Sequence, residues 1–220
     1  MADYPWYEIR SHKAKIAQGD IIFDLIVPAP QYDETSVYHI KTAYKKRSVI
    51  LMTQACDLEQ EKVEHVKVCG IIPLNDYLIG QLIADEINSR KQRAANSKSE
   101  IDKSPIKFDY ESKKIKDKIN KMIQQLRTGH FLDLYLLNQE LGEEKMDAYI
   151  VNLREEYTLP LKSLQAHIKL GNTNRLSLNP PYREHLNQAF VNLYSRIGLP
   201  QDIKFEEINL NLKKEFEYPE

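Results

Sequence analysis

Lys45-Lys46-Arg47-Ser48-Val49-Ile50-Leu51-Met52-Thr53-Gln54-Ala55-Cys56-Asp57-Leu58 is the stretch on which the reading of the fold turns. Its centre, Val49 to Met52, is a continuous apolar run of strand length, far too short to cross a membrane. Three cations precede the run, and an amide, a thiol and a carboxylate follow within four residues. A buried strand that begins on cations and ends on reactive side chains is a place where a site can form. Strand signals surround it. Gly19-Asp20 opens Ile21 to Val27, which Pro28 and Pro30 are expected to end. Val37 to Tyr44 alternates as a second strand, the quoted stretch supplies a third, and Val66 to Leu74 a fourth. Short connections between them imply antiparallel pairing rather than βαβ units.

The pattern changes after Leu74. Asn75 or Asp76 can cap a helix whose apolar positions are Leu78, Ile79, Leu82, Ile83 and Ile87. Between Arg90 and Arg127 twelve Lys or Arg face five Asp or Glu, an excess of seven positive charges. The segment Ala94 to Pro105 is rich in Ser, Lys and Asn. A second helix is expected over residues 111–127, with Ile115, Ile119, Met122, Ile123 and Leu126 as its stripe and Lys113, Lys114, Lys116, Lys118 and Lys121 on its other faces. Strands resume at His130 to Leu137 and Ala148 to Leu153; Leu159 to Leu170 reads equally as strand or helix. Arg175 to Leu178 is extended, and a closing helix carries Leu186, Phe190, Leu193, Tyr194 and Ile197 up to Gly198 and Pro200. The expected division is 1–74 and 128–200 for a β domain, 75–127 for a lysine-rich helical insertion, and 201–220 for an acidic tail whose apolar residues alternate with charges. The fold class is α+β: a bent antiparallel sheet or a small SH3-like barrel, with the insertion and a C-terminal helix.

Composition narrows the function without naming it. The net charge of −1 gives no global attraction to nucleic acid, so any such surface must be local. No run has membrane length and the N-terminus lacks a signal-peptide pattern, which leads to the expectation of a cytoplasmic protein with its two cysteines, Cys56 and Cys69, reduced. No metal or cofactor is expected: Cys56, His65 and Cys69 lack the paired spacing of a zinc site.

Gly19-Asp20-Ile21-Ile22 followed by Arg47-Ser48-Val49-Ile50-Leu51-Met52-Thr53 resembles the start of the MazF/PemK-like toxin fold. Val68-Cys69-Gly70-Ile71-Ile72-Pro73 matches its next strand, and Ala148 to Leu153 with Leu161-Lys162-Ser163-Leu164 resembles its late strand and sequel. The resemblance implies a small dimeric barrel that cleaves RNA without a metal, with Arg47 binding the phosphate or acting as acid. Two departures stand out: Ser48 where the family has proline, and Pro73-Leu74 where it has a catalytic Ser or Thr. Gln54-Ala55-Cys56-Asp57-Leu58 is similar to a Gln-x-Cys-Asp-Leu signature in uncharacterised bacterial proteins.

The candidate site therefore comprises Arg47, Gln54, Cys56 and Asp57, with His39 or His65 as a base for the thiol. The alternative for Cys56-Asp57 is a small core residue beside a turn cap. Lys113, Lys114, Lys116, Lys118 and Lys121 would contact RNA or DNA phosphates, or form a solvated face. A second functional class is a non-catalytic subunit that binds a co-encoded protein in a bacterial defence or toxin–antitoxin system. About seven residues of strand span roughly 23 Å, which separates Arg47 from Asp57 unless the strand bends sharply.

Overall fold

A computed structural model describes residues 5–60, 62–140, 146–172 and 174–195. The acidic tail and the expected helix stop at Gly198 and Pro200 lie outside the described residues. Among the described residues seven strands form one antiparallel sheet: β1 (Tyr7–Arg10), β2 (Asp20–Tyr32), β3 (Ile40–Leu51), β4 (His65–Pro73), β5 (Leu134–Leu137), β6 (Tyr149–Pro160) and β7 (Arg175–Leu178). Their order, β1-β7-β2-β3-β4-β6-β5, leaves β1 and β5 at two edges. The sheet is thus open and is not closed into a barrel. The helices are α1 (Ala55–Glu59), α2 (Leu74–Ser97), α3 (Lys113–Arg127), α4 (Leu161–Gly171) and α5 (Tyr182–Tyr194). Helices α2 and α3 stand between β4 and β5, within the segment read as an insertion.

Strand alternation puts one apolar set on each face. Ile21, Ile50, Cys69, Ile71, Val151 and Leu178 pack toward Leu186 of α5. On the other face Ile22, Leu25, Val49, Leu51, Val68 and Leu159 pack toward Leu58 of α1 and Leu164 and Ile168 of α4. The ambiguous stretch 159–170 resolves at Pro160, where β6 ends and α4 begins. Three of its positions, Leu161, Leu164 and Ile168, then fit a helical repeat.

Two strand expectations are corrected. Val37 to Tyr44 and Lys45 to Met52 are not two strands: Ile40 to Leu51 is one continuous strand. Pro28 and Pro30 do not end β2, which continues to Tyr32. Asp33 N donates to His39 O (3.0 Å), which in this register turns the backbone nitrogens of positions 28 and 30 away from β3. No ladder donor is lost there, and proline at such an edge discourages pairing with another chain. β2 meets β7 only at Asp20 and Ile21, and β3 meets β4 only from Ser48 to Leu51. Residues 25–32 and 40–47 consequently form a two-stranded ribbon, roughly 26 Å long at 3.3 Å per residue.

A buried ion pair joins the start of β2 to the start of β7. Asp20 and Arg175 are both inaccessible, and Arg175 Nε donates to Asp20 Oδ2 at 2.6 Å. The remaining guanidinium nitrogens donate to the carbonyls of Ser11 (3.0 Å), Ala14 (2.9 Å) and Lys15 (2.7 Å). Removing either partner leaves an uncompensated buried charge. Arg175→Met or Asp20→Asn should therefore lower stability by about 3–5 kcal/mol, measured by urea unfolding. A loss below about 1 kcal/mol would show that the pair does not hold the lead-in.

Candidate functional site

The conspicuous polar cluster on the α1/α4 face of the sheet lies beside two strand irregularities. In β6 the pairing with β4 passes from Glu156↔Cys69 to Asn152↔Gly70, so that Leu153, Arg154 and Glu155 have no partner on β4. In β2 a bulge between Ile22 and Leu25 contains Asp24, at φ 59°, a conformation that Asp tolerates better than most residues. Bulges re-aim side chains and bend strands. Here the one in β6 lays Glu155 across Gly70. A Cβ at position 70 would come within 2.8 Å of the Glu155 carboxyl group, so glycine is what admits it.

Glu155 Oε1 accepts three hydrogen bonds: from Lys45 Nζ at 3.2 Å, Arg47 Nε at 3.1 Å and the Tyr157 hydroxyl at 2.5 Å. Lys45 Nζ also lies 5.1 Å from the centre of the Tyr157 ring. Burial works against the charged Glu155 carboxylate, but hydrogen bonds from Tyr157, Lys45 and Arg47 outweigh it and bring its pKa below the ordinary carboxylate value. The hydrogen bond to Glu155 raises that of Arg47. Burial, reinforced by Glu155, raises that of the Tyr157 hydroxyl. The cluster at neutral pH is two cations, one carboxylate and one neutral phenol. Arg47 retains 42% side-chain exposure and Glu155 22%, so a ligand can reach both. Such a set can bind an anion through Arg47 and Lys45 while Glu155 Oε2 stays available to accept a proton.

The residues expected from sequence fall into two groups. Arg47 joins the cluster. Gln54, Cys56 and Asp57 lie at the other end of β3, at the start of α1. Cys56 Sγ sits 3.7 Å from Gln54 Oε1 and 3.8 Å from Asp57 Oδ1, and both neighbours are acceptors. No contact among the described residues joins either histidine expected as a base to Cys56: His39 stacks on Tyr32 at the ribbon's tip, and His65 begins β4. No contact among the described residues joins the Gln54–Asp57 turn to Arg47. Cys56 is exposed whereas Cys69 is buried, and burial pushes the Cys69 thiol up to about 12. Among the described residues no group of three His, Cys, Asp or Glu is placed to hold a metal.

The lysines of α3 differ in their partners. Lys116 pairs with Glu111 (2.6 Å) and Lys118 with Asp85 of α2 (2.7 Å), while Lys113, Lys114 and Lys121 have no ion pair among the described residues. Lys45, Gly70, Glu155 and Tyr157 were not singled out from sequence. Gly70 carried a signal, since glycine inside a buried strand marks a bulge or a close approach. No family model, curated protein or solved structure matches the chain.

Gly70→Ala should displace Glu155, and Glu155→Ala should relieve that clash. A double-mutant cycle by urea unfolding is expected to give a coupling of about 0.5–3 kcal/mol between the two sites. The lowered Glu155 pKa adds stability that is present above the ordinary carboxylate pKa and is lost as pH falls through the lowered folded value. Glu155→Gln should accordingly flatten the acid limb of the stability–pH curve; an unchanged limb would dissociate Glu155 from that dependence.

Proposed function

We propose that the chain is a cytoplasmic, RNA-directed protein that acts on the phosphodiester backbone without a metal, as a diverged relative of MazF-like endoribonucleases. The observation that carries this reading is the Glu155 carboxylate clamped between Lys45, Arg47 and Tyr157 on the face of the sheet. On this reading the open sheet is an elaborated form of the family's SH3-like barrel, interrupted by residues 75–127. Arg47 and Lys45 hold a phosphate, and Glu155 Oε2 takes the proton of the adjacent 2′-hydroxyl. The O2′–P bond forms as the P–O5′ bond breaks, and the leaving 5′-oxygen takes a proton from the Lys45 ammonium. The two cations offset the charge that grows on the phosphorane oxygens. Lys113, Lys114 and Lys121 would guide the strand electrostatically.

A second reading is a non-catalytic subunit that binds a co-encoded protein or pairs as a homodimer. It is favoured by the ribbon, where Ile26, Pro30, Tyr32, Ile40 and Tyr44 are all exposed on one face beside the half-buried Pro28.

Incubation of the purified chain with end-labelled RNA in chelator separates the two. The nuclease reading expects cleavage that leaves 2′,3′-cyclic phosphate ends. Arg47→Ala and Glu155→Gln should each slow cleavage by about 10²-fold or more, while Cys56→Ser leaves the rate unchanged. Cleavage that survives Glu155→Gln would overturn the site. RNA that stays intact, with a co-encoded protein bound through the ribbon, would favour the subunit.

A further inference from the structure

The sheet's second edge carries a feature that the phosphate site does not use. A groove of about 650 Å³ lies where β5, the end of α3 and α5 meet. Leu134, Tyr135 and Leu136 all line it, although successive strand residues point to opposite faces. Only a groove that runs along the edge itself can touch all three. Register supports this placement. Leu153 N donates to Asp133 O (2.8 Å), which makes 133 and 153 a hydrogen-bonded pair and alternates outward from there. The backbones of Tyr135 and Leu137 consequently face β6, and those of Leu134 and Leu136 face the groove. No hydrogen bond engages these two backbones among the described residues.

The lining also defines the ligand. Trp6 and Tyr182 stack at 3.8 Å and 8° to form one aromatic wall. Arg127 and His185, both exposed, bring positive or protonatable groups to the groove, and no Asp or Glu among the described residues lines it. Unpaired strand backbone inside an apolar trough calls for another strand, because an extended peptide satisfies the N–H and C=O groups while its alternate side chains enter the trough. The cationic rim calls for carboxylates on that peptide.

We propose that the outer edge of β5 is a strand-addition site for a partner protein's extended segment in which apolar and acidic residues alternate. Its backbone pairs with Leu134 and Leu136, its apolar side chains fill the trough, and its carboxylates meet Arg127. This site is independent of the RNA reading, since it shares no residue with the Glu155 cluster.

The test uses the full chain and a fluorescein-labelled capped peptide, Thr-Val-Glu-Val-Glu-Val-Thr, followed by anisotropy. Three controls accompany it: the peptide with lysine for glutamate, the peptide N-methylated at alternate amides, and a scrambled peptide with its charges clustered. Saturable binding is expected for the alternating acidic peptide. The lysine and N-methyl versions should each bind at least about tenfold more weakly, the change that corresponds to losing one good interaction. Leu136→Pro removes an outward N–H that no neighbouring strand uses, so it should keep the fold by circular dichroism and weaken binding by a similar factor. Arg127→Glu should weaken the acidic peptide and strengthen the lysine peptide. Equal binding of the plain and N-methylated peptides would reduce the groove to an apolar trough and overturn strand addition. Absence of saturable binding overturns it too. So does a concentration-dependent dimer by sedimentation that Leu136→Pro abolishes, which would assign the edge to a second copy of the chain.

Discussion

The Asp20–Arg175 pair is the constraint on which the rest of the structure depends. Its partners are 155 residues apart, and it reinforces the pairing of β7 with β1 and β2 that brings these two parts of the chain together. Asp20 Oδ2 also accepts from Ala17 N (2.9 Å), and Gly19, at φ 87°, donates to Leu51 O (2.8 Å) and accepts from Leu178 N (3.0 Å). A side chain at Gly19 would press on Leu178 and Arg183 as well as favour the wrong backbone region. The turn that opens β2 is thus fixed from three directions: by β3, by β7 and by the lead-in that Arg175 holds through its carbonyls. Burying two charges is costly, and the geometry recovers that cost only because nearly every donor of Arg175 is used.

From that anchor the sheet is laid out in a fixed register, and register decides which side chains meet. Arg47 sits two residues before Val49, which pairs with Gly70, so Arg47 and Gly70 share a face. Continued without a break, the register Glu156↔Cys69 would set Glu155 opposite Gly70; the bulge instead releases Glu155 from pairing, and its carboxyl group lies over Gly70. The polar cluster therefore gathers where a bulge meets a glycine. The same logic explains the ribbon. β2 and β3 outrun their neighbours on both sides, so their distal halves carry apolar residues that the domain has no second layer to cover.

The parts of this architecture visible in the sequence were those written in local chemistry. The apolar runs at Ile21 to Val27, Val49 to Leu51 and Val66 to Pro73 lie in strands, and the stripes of α2 and α3, with that of α5 as far as Tyr194, lie in helices; Ile197 is outside the described residues. Gly19-Asp20 marked a strand start, but nothing nearby announced Arg175. The ribbon was misread because its outer half faces solvent on both sides: Lys45-Lys46-Arg47 looked like the entrance to a strand when it lies in the middle of one. Pro28 and Pro30 signalled a stop because sequence does not say which side of a strand its nitrogens face.

The site shows the same division more sharply. Arg47 was legible because a cation beside a buried strand is unusual in itself. Glu155 was not, since Arg154-Glu155-Glu156 reads as the polar end of a strand that in fact continues to Pro160. Only the pairing partner of each residue separates a bulge from a strand end, and that information lies some 85 residues upstream, at Cys69 and Gly70. The turn at Gln54 to Asp57 illustrates the reverse. Reactive residue types adjacent in sequence suggested a site, yet their contacts are with one another and no cation or imidazole among the described residues touches the thiol. Proximity along the chain supplied the residue types there, whereas at Glu155 proximity across the sheet supplied the opposite charges and the hydroxyl that proton transfer and anion binding require.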